Sequence, residues 1–272
     1  MKKTIGSIFI IACMVLPLSV NADPIFSQGF ETDTDGWFDK DDSWSGNVER
    51  QLSGTSGITA FEGNYYAQFT QTNDTGGLTA AFSRLGGYND VFPGDYSLQT
   101  AIYLDTSWAN GSGFDFSVAS NDTSGNHLQD FIFHVTKDTS TGELLVGGSN
   151  NTNFDPREDL ESLNSFSIAD SGWYVFEHLF RDDNGVLAVD LNLKNVLGDI
   201  LFTETRTTAT NLIPSEVGGN RYAWFTNIDI AEGIAVDGIS LSVVAQEVSE
   251  PSIFAIFCLG VSGLVLRRKY TQ

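Results

Sequence analysis

Apolar and polar positions alternate in short runs along most of this chain. Tyr96, Leu98, Thr100, Ile102 and Leu104 share one period-two face, Phe114, Phe116 and Val118 another, and Phe131, Phe133 and Val135 a third. Runs of that period, bounded by Gly, Asn, Asp or Pro, are strands with one buried face. Tyr174 to Phe180 and Val186 to Leu193 make a further pair, separated by Arg181 to Gly185. That connection ends in Asn184 and Gly185, which together adopt positive φ at little steric cost, and it is the strongest hairpin signal in the chain. Tyr65 to Thr70, Leu78 to Ser83, Ile200 to Arg206, Tyr222 to Ile230 and Ile234 to Val244 add five more strands. About a dozen strands at spacings of roughly 10 to 20 residues predict an all-β fold, two antiparallel sheets packed as a jelly-roll sandwich. Thr106 to Gly113, Ser120 to Asn126 and Gly147 to Leu160 are rich in Ser, Asn, Gly, Thr and Asp and read as rim loops, where a binding site is built. The third ends in Asp155 to Leu160, one turn of helix.

Two runs at the ends break the alternation. Lys2 and Lys3 precede an apolar stretch from Ile5 to Leu18, followed by Val20, Asn21 and Ala22. This is the pattern of a signal peptide cut between Ala22 and Asp23. A lipoprotein signal at Cys13 fits less well, because the apolar run continues past it through Met14, Val15 and Leu16. At the other end, Ile253 to Leu266 is almost wholly apolar and is followed by Arg267, Arg268 and Lys269. Pro251 to Leu266 would make a helix of about 24 Å, a short transmembrane span a little under the bilayer core. The basic residues after it would stay on the cytoplasmic side. The chain then divides into a signal peptide (1–22), a sandwich (23–246) and a sorting or anchor segment (247–272), with 245–249 as tether.

Removing the ends changes the composition usefully. Cys13 and Cys258 both lie in them, so nothing between can form a disulfide, although an exported compartment permits one. Five of the fourteen basic residues also lie there, which leaves nine against all 35 acids, a net charge of −26 on the exported part. Nucleic acid and other polyanions are poor partners for that field.

The tail carries a family resemblance. Glu250, Pro251 and Ser252, the apolar helix and Arg267, Arg268 and Lys269 resemble the PEP-CTERM sorting signal of Gram-negative bacteria, with Ser249 where the first proline usually stands. The resemblance implies export by signal peptidase, transient anchoring in the inner membrane and recognition by exosortase. Delivery would be to the cell surface, outer membrane or extracellular matrix. Within the exported part, Phe26 to Trp37 looks like the opening strand of secreted carbohydrate-binding jelly rolls of the concanavalin or galactose-binding type, and Val236 to Ser242 looks like their closing strand. Ser171 to Tyr174, Phe180 to Asp183 and Gly219 to Phe225 are similar to stretches of PEP-CTERM proteins with such a domain. The resemblance implies a structural calcium at Glu31 and Asp237, with Asp33 or Asp35 as further ligands. Read from the residues alone, the acidic cluster of Asp33, Asp35, Asp39, Asp41 and Asp42 consists of solvated turn formers.

Trp44 and Trp108 stand in polar loops, with Tyr88 behind them, and such aromatics stack on the apolar faces of sugar rings. Simple lid packing over the sandwich end is the competing account. Trp37, Trp173 and Trp224 sit in apolar contexts and are expected in the core. His127, His134 and His178 show no metal-ligand spacing, no nucleophile elbow occurs, and His178 alternates with Tyr174, Phe176 and Phe180 as a core histidine does. The expectation is a non-enzymatic surface or matrix protein binding extracellular polysaccharide in a biofilm. Its alternatives are a glycan-active hydrolase or lyase of sandwich fold and a purely structural matrix protein.

Overall fold

Strand alternation translates directly into two layers in the computed structural model, which describes residues 24–71, 79–87, 92, 94–122, 124–208 and 218–244. The expected signal peptide with Ala22 and Asp23, the sorting residues Glu250, Pro251, Ser252, Arg267, Arg268 and Lys269, and Tyr88 lie outside the described residues. Among those described, no helix is long and apolar enough to cross a membrane.

The strands in chain order are β1 (Phe26–Gln28), β2 (Trp37–Phe38), β3 (Asn47–Leu52), β4 (Tyr65–Thr70), β5 (Thr79–Ser83), β6 (Tyr96–Leu104), β7 (Gly113–Asn121) and β8 (His127–Lys137). They continue with β9 (Leu144–Asn150), β10 (Ser165–Ile168), β11 (Gly172–Asp183), β12 (Val186–Lys194), β13 (Ile200–Thr207), β14 (Gly218–Thr226) and β15 (Ile234–Val243). The first sheet runs β13-β12-β11-β6-β15-β4-β3, with β1 also paired to β15; the second runs β10-β9-β8-β7-β14-β5-β2. Every pairing is antiparallel, so the fold is an all-β, two-sheet antiparallel sandwich. Neighbours distant in sequence, β6 with β15 and β7 with β14, lock the start of the domain to its end.

The core lies between the sheets and is mainly phenylalanine. Phe116 stacks on Phe225 at 4.5 Å, Tyr96 on Phe180 at 4.4 Å, and Trp37 meets Phe69 edge-on at 4.7 Å. Each ring buried this fully contributes about 2–3 kcal/mol. Leu98, Thr100, Ile102 and Leu104 of β6 point inward as the alternation predicts, leaving Ser97, Gln99, Ala101 and Tyr103 outside. The outward face of the first sheet carries polar ladders. Glu177 accepts hydrogen bonds from Gln99 (2.8 Å) and Asn192 (2.9 Å) and pairs with Lys194 (2.7 Å), while Asp190 takes Arg181 and Thr205 at 2.6 Å each.

The set of strands differs from the expected one: the single opening strand expected over Phe26 to Trp37 is divided between β1 and β2, and β3, β9 and β10 are new. β3, β9 and β10 escape the alternation test because their faces are mixed, and β9 replaces the first residues of the loop expected from Gly147. Gly147 and Gly148 sit in that strand because larger side chains would strike Leu160 and Leu191. The hairpin is tighter than its five-residue connection suggested: β11 runs to Asp183, and Asn184 (φ 57°) and Gly185 (φ 92°) alone make the turn. The single turn of helix forms over Arg157–Ser162 as a 3-10 turn.

Candidate functional site

Three loops meet over the outward face of the first sheet and enclose a groove of about 740 Å³. Its floor is Gln51 of β3, Gln68 of β4, Ala235 of β15 and Tyr103 of β6, all outward positions on neighbouring strands. Thr55 to Ile58 form one wall, Asp105, Ser107 and Trp108 a second, and Asp229 to Gly233 a third. The Trp108 indole N–H, the Tyr103 hydroxyl and the Gln51 amide have no hydrogen-bond partner among the described residues, so all three are available to a ligand.

The walls are held before any ligand arrives. Asp105 accepts from the Ser107 amide (2.8 Å) and the Ser171 hydroxyl (3.1 Å), and Lys137 donates to the Thr106 carbonyl at 2.7 Å. Burial pushes the Asp105 carboxyl up, but those donors outweigh it and hold the pKa below the usual carboxylate range. Asp229 is paired with Arg157. Trp108 itself packs edge-on against Phe114 at 6.3 Å, so its ring is braced by the core on one side.

The loop between β3 and β4 is fastened at five points. Tyr66 donates to the Thr55 carbonyl (3.0 Å), Trp173 to Thr59 (2.7 Å), and the Ala60 amide donates to Ser53 Oγ (2.9 Å). Asp237 Oδ2 then accepts from the amides of Phe61 (3.0 Å) and Glu62 (3.1 Å), and Glu31 Oε1 from those of Asn64 and Tyr65, both 2.9 Å. A bulge in β15 makes this possible: the register shifts between Asp237 and Ser240, and Gly238 adopts φ 54° beneath the Phe61 ring. Burial raises the Asp237 pKa to about 6, with the Glu62 carboxylate adding to the rise against the pull of the three amides around it. Glu31 is exposed, and its two amides hold its pKa below the usual value.

This arrangement bears on the expected calcium. Calcium takes six to eight oxygens, yet both Asp237 oxygens and one of Glu31 already face amide hydrogens. No group of three or more His, Cys, Asp or Glu converges as a metal site among the described residues. Glu31 and Asp237 are thus anionic clamps on the groove wall as the structure stands. Asp33 likewise caps a turn, accepting from the Asp35 amide at 3.0 Å.

Trp44 and Trp108, both expected to bind carbohydrate, lie apart. Trp44 is 40% exposed on the outward side of the second sheet, its N–H bonded to the Ala80 carbonyl and its ring beside Phe82 (4.8 Å) and Trp224 (6.3 Å). Two of the three expected core tryptophans are corrected. Trp37 is in the core, but Trp224 is half-buried on the outside of β14, and Trp173 lies against Tyr103, Tyr66 and Phe61 on the outside of β11. The reason is register, because Trp173 and Trp224 fall on the outward positions that alternate with inward Phe176 and Phe225. Tyr103 was overlooked in the sequence although it was legible as the one aromatic on the polar face of its strand.

The histidines hold another feature that spacing could not reveal. On β7, β8 and β9, Asp115 Oδ1 contacts His134 Nδ1 at 2.7 Å and His134 Nε2 contacts Ser149 Oγ at 2.7 Å. The order is that of a serine nucleophile relay, yet Ser149 is fully buried and His134 is 1% exposed beneath Phe154. His178 is a core histidine as expected. It donates to the Phe131 carbonyl at 3.1 Å across the sandwich, and burial lowers its pKa to about 3.

No family model and no curated protein matches the chain. Among solved structures it is similar to a conserved carbohydrate esterase, vb_24B_21, from the Shiga toxin-encoding bacteriophage phi24B, at 14% identity and a TM-score of 0.45, over 77% of this chain and 91% of that one. It is also similar to the VIP36 exoplasmic/lumenal domain in its Ca2+/Man3GlcNAc-bound form, at 10% and 0.44, over 81% and 88%. Lectin II from Ulex europaeus matches at 10% and 0.40, over 80% and 98%.

Proposed function

We propose that this is an exported jelly-roll protein, delivered by its signal peptide and sorted by exosortase, that binds extracellular polysaccharide in the groove on its first sheet. One observation carries the binding role: a preformed 740 Å³ groove that sets an indole and a phenol beside unpartnered amide, hydroxyl and indole N–H groups. Sugars need that combination, an aromatic face for their C–H surface and fixed polar groups for their hydroxyls. Trp108 supplies the stacking ring, Tyr103 the second aromatic with its hydroxyl, and Gln51 and Asp105 the polar contacts. Because the walls are fastened beforehand, little ordering opposes binding. Affinity electrophoresis in gels of hydroxyethylcellulose, xylan and galactomannan tests this. At least one gel should retard the protein, and Trp108→Ala with Tyr103→Ala should weaken that retardation about tenfold. Equal mobility of wild type and variant in every gel defeats the groove. Intact-mass measurement of the surface form tests sorting, which requires loss of the segment after Glu250.

A hydrolase is the second reading, favoured by the relay of Asp115, His134 and Ser149. A fluorophosphonate probe that labels Ser149 in wild type but not in His134→Ala would move the assignment to that reading.

A further inference from the structure

The outward face of the second sheet carries a file of aromatic rings that the groove does not use. Phe38 on β2 stacks on Phe82 on β5 (5.0 Å, 18°), Phe82 meets Trp44 at 4.8 Å, and Trp44 meets Trp224 on β14 at 6.3 Å. Trp224 then meets Tyr222 at 5.7 Å, and Tyr222 lies parallel to His127 on β8 (6.2 Å, 5°). Six rings therefore run in single file across β2, β5 and β14 and, over β7, to the start of β8, each half-buried or more open. Trp44 and Trp224 both turn their N–H inward to the same acceptor, the Ala80 carbonyl, at 3.1 and 3.3 Å. What remains outward is C–H and π surface. The Arg84 guanidinium lies over Phe38 and Phe82 at one end, and the His127–Asp130 pair (3.1 Å) closes the other.

We infer that this file is a second binding face, for a neutral polysaccharide chain, and that the domain joins two such chains. The shape of the file selects a long thin occupant: it is one ring wide. The charge argues against an anionic membrane or a polyanion, since Arg84 is the one cation found over the rings among the described residues and the chain carries a net charge of −21. Stacking on rings tolerates a flexible, repetitive ligand, as a neutral polysaccharide is.

The joining role rests on the groove being a polysaccharide site. Groove and file occupy opposite outer faces of one sandwich, so a chain held on either leaves the other face open. Two weak sites on one rigid body raise the avidity of a network without any new contact.

The full chain in a soluble galactomannan or β-glucan that retards it tests the inference. N-bromosuccinimide oxidation, mapped tryptophan by tryptophan, should be slowed by polysaccharide at Trp44 as well as at Trp108. Trp44→Ala with Phe82→Ser should weaken retardation about three- to tenfold, and wild type alone should raise the viscosity of the polysaccharide, each single-face variant binding without thickening it. Trp44 oxidised at an unchanged rate, together with unchanged retardation of Trp44→Ala/Phe82→Ser, overturns the second face and leaves the groove intact. Loss of all retardation in that variant with none in Trp108→Ala overturns the groove and the joining role, and leaves the file as the site. The oxidation readout needs no substitution, so a variant that fails to fold does not protect the idea.

Discussion

The two outward faces of this sandwich are built in opposite ways. The groove on the first sheet is made by loops: its walls come from residues 55–58, 105–108 and 229–233, and their positions depend on Asp237, Glu31, Trp173 and Lys137 holding backbone that has no ladder of its own. The aromatic file on the second sheet is made mainly by strands, with Phe38, Phe82, Tyr222 and Trp224 fixed by register alone. A loop-built site therefore has its weak point in a few buried polar bonds, and a strand-built one in the packing of the sheet. The same domain offers both cases on a shared core.

Acid should break both faces together and gives the largest effect. His178 is neutral in the core with a pKa of about 3 against 6.5 when unfolded. A lowered pKa contributes stability above pH 6.5 that is lost as pH falls toward 3, on the order of 5 kcal/mol here. Asp237 runs the other way: its pKa is raised from 3.8 to about 6, so its contribution is present below 3.8 and lost as pH rises through 6. Urea unfolding at pH 7, 5.5 and 4 should show falling stability in wild type and a shallower fall in His178→Leu. Equal slopes would contradict the core assignment.

Asp237→Ala separates the faces. It leaves the amides of Phe61 and Glu62 without an acceptor, which costs about 3 kcal/mol. Groove affinity should fall with it while the oxidation behaviour of Trp44 stays unchanged; a parallel change at Trp44 would show that the faces are coupled through the sheets. Trp44→Ala is the milder counterpart. Its ring is 40% exposed and one N–H bond is lost, so stability should drop by about 1 kcal/mol, as melting curves will report, while protection of Trp108 from oxidation by polysaccharide stays unchanged. Smallest of all is the response to calcium. With the Glu31 and Asp237 oxygens facing amides, Tm after chelation should move little when calcium is restored, and a rise of several degrees would support the ion expected from the opening and closing strands.

The two layers can be read from the amino-acid order alone. Alternation placed β4 and β6 to the residue and located β7, β8, β11, β12, β13 and β15, because period-two burial is a local property of one strand against one core. The same rule also held the outward positions of Tyr103, Trp173 and Trp224, but an aromatic in an apolar run looks like core until its register is known. β3, β9 and β10 were hidden for a similar reason, since their faces are defined by partners and not by their own pattern. Which distant residues meet is a property of the assembled sandwich. Asp237 reaches Phe61 and Glu62 across 175 residues or more of chain, and Trp44 bonds Ala80 while Trp108 lines a groove elsewhere. Strand pairing between β6 and β15 and between β7 and β14 brings them there, and pairing over such separations leaves no trace in a local window of sequence.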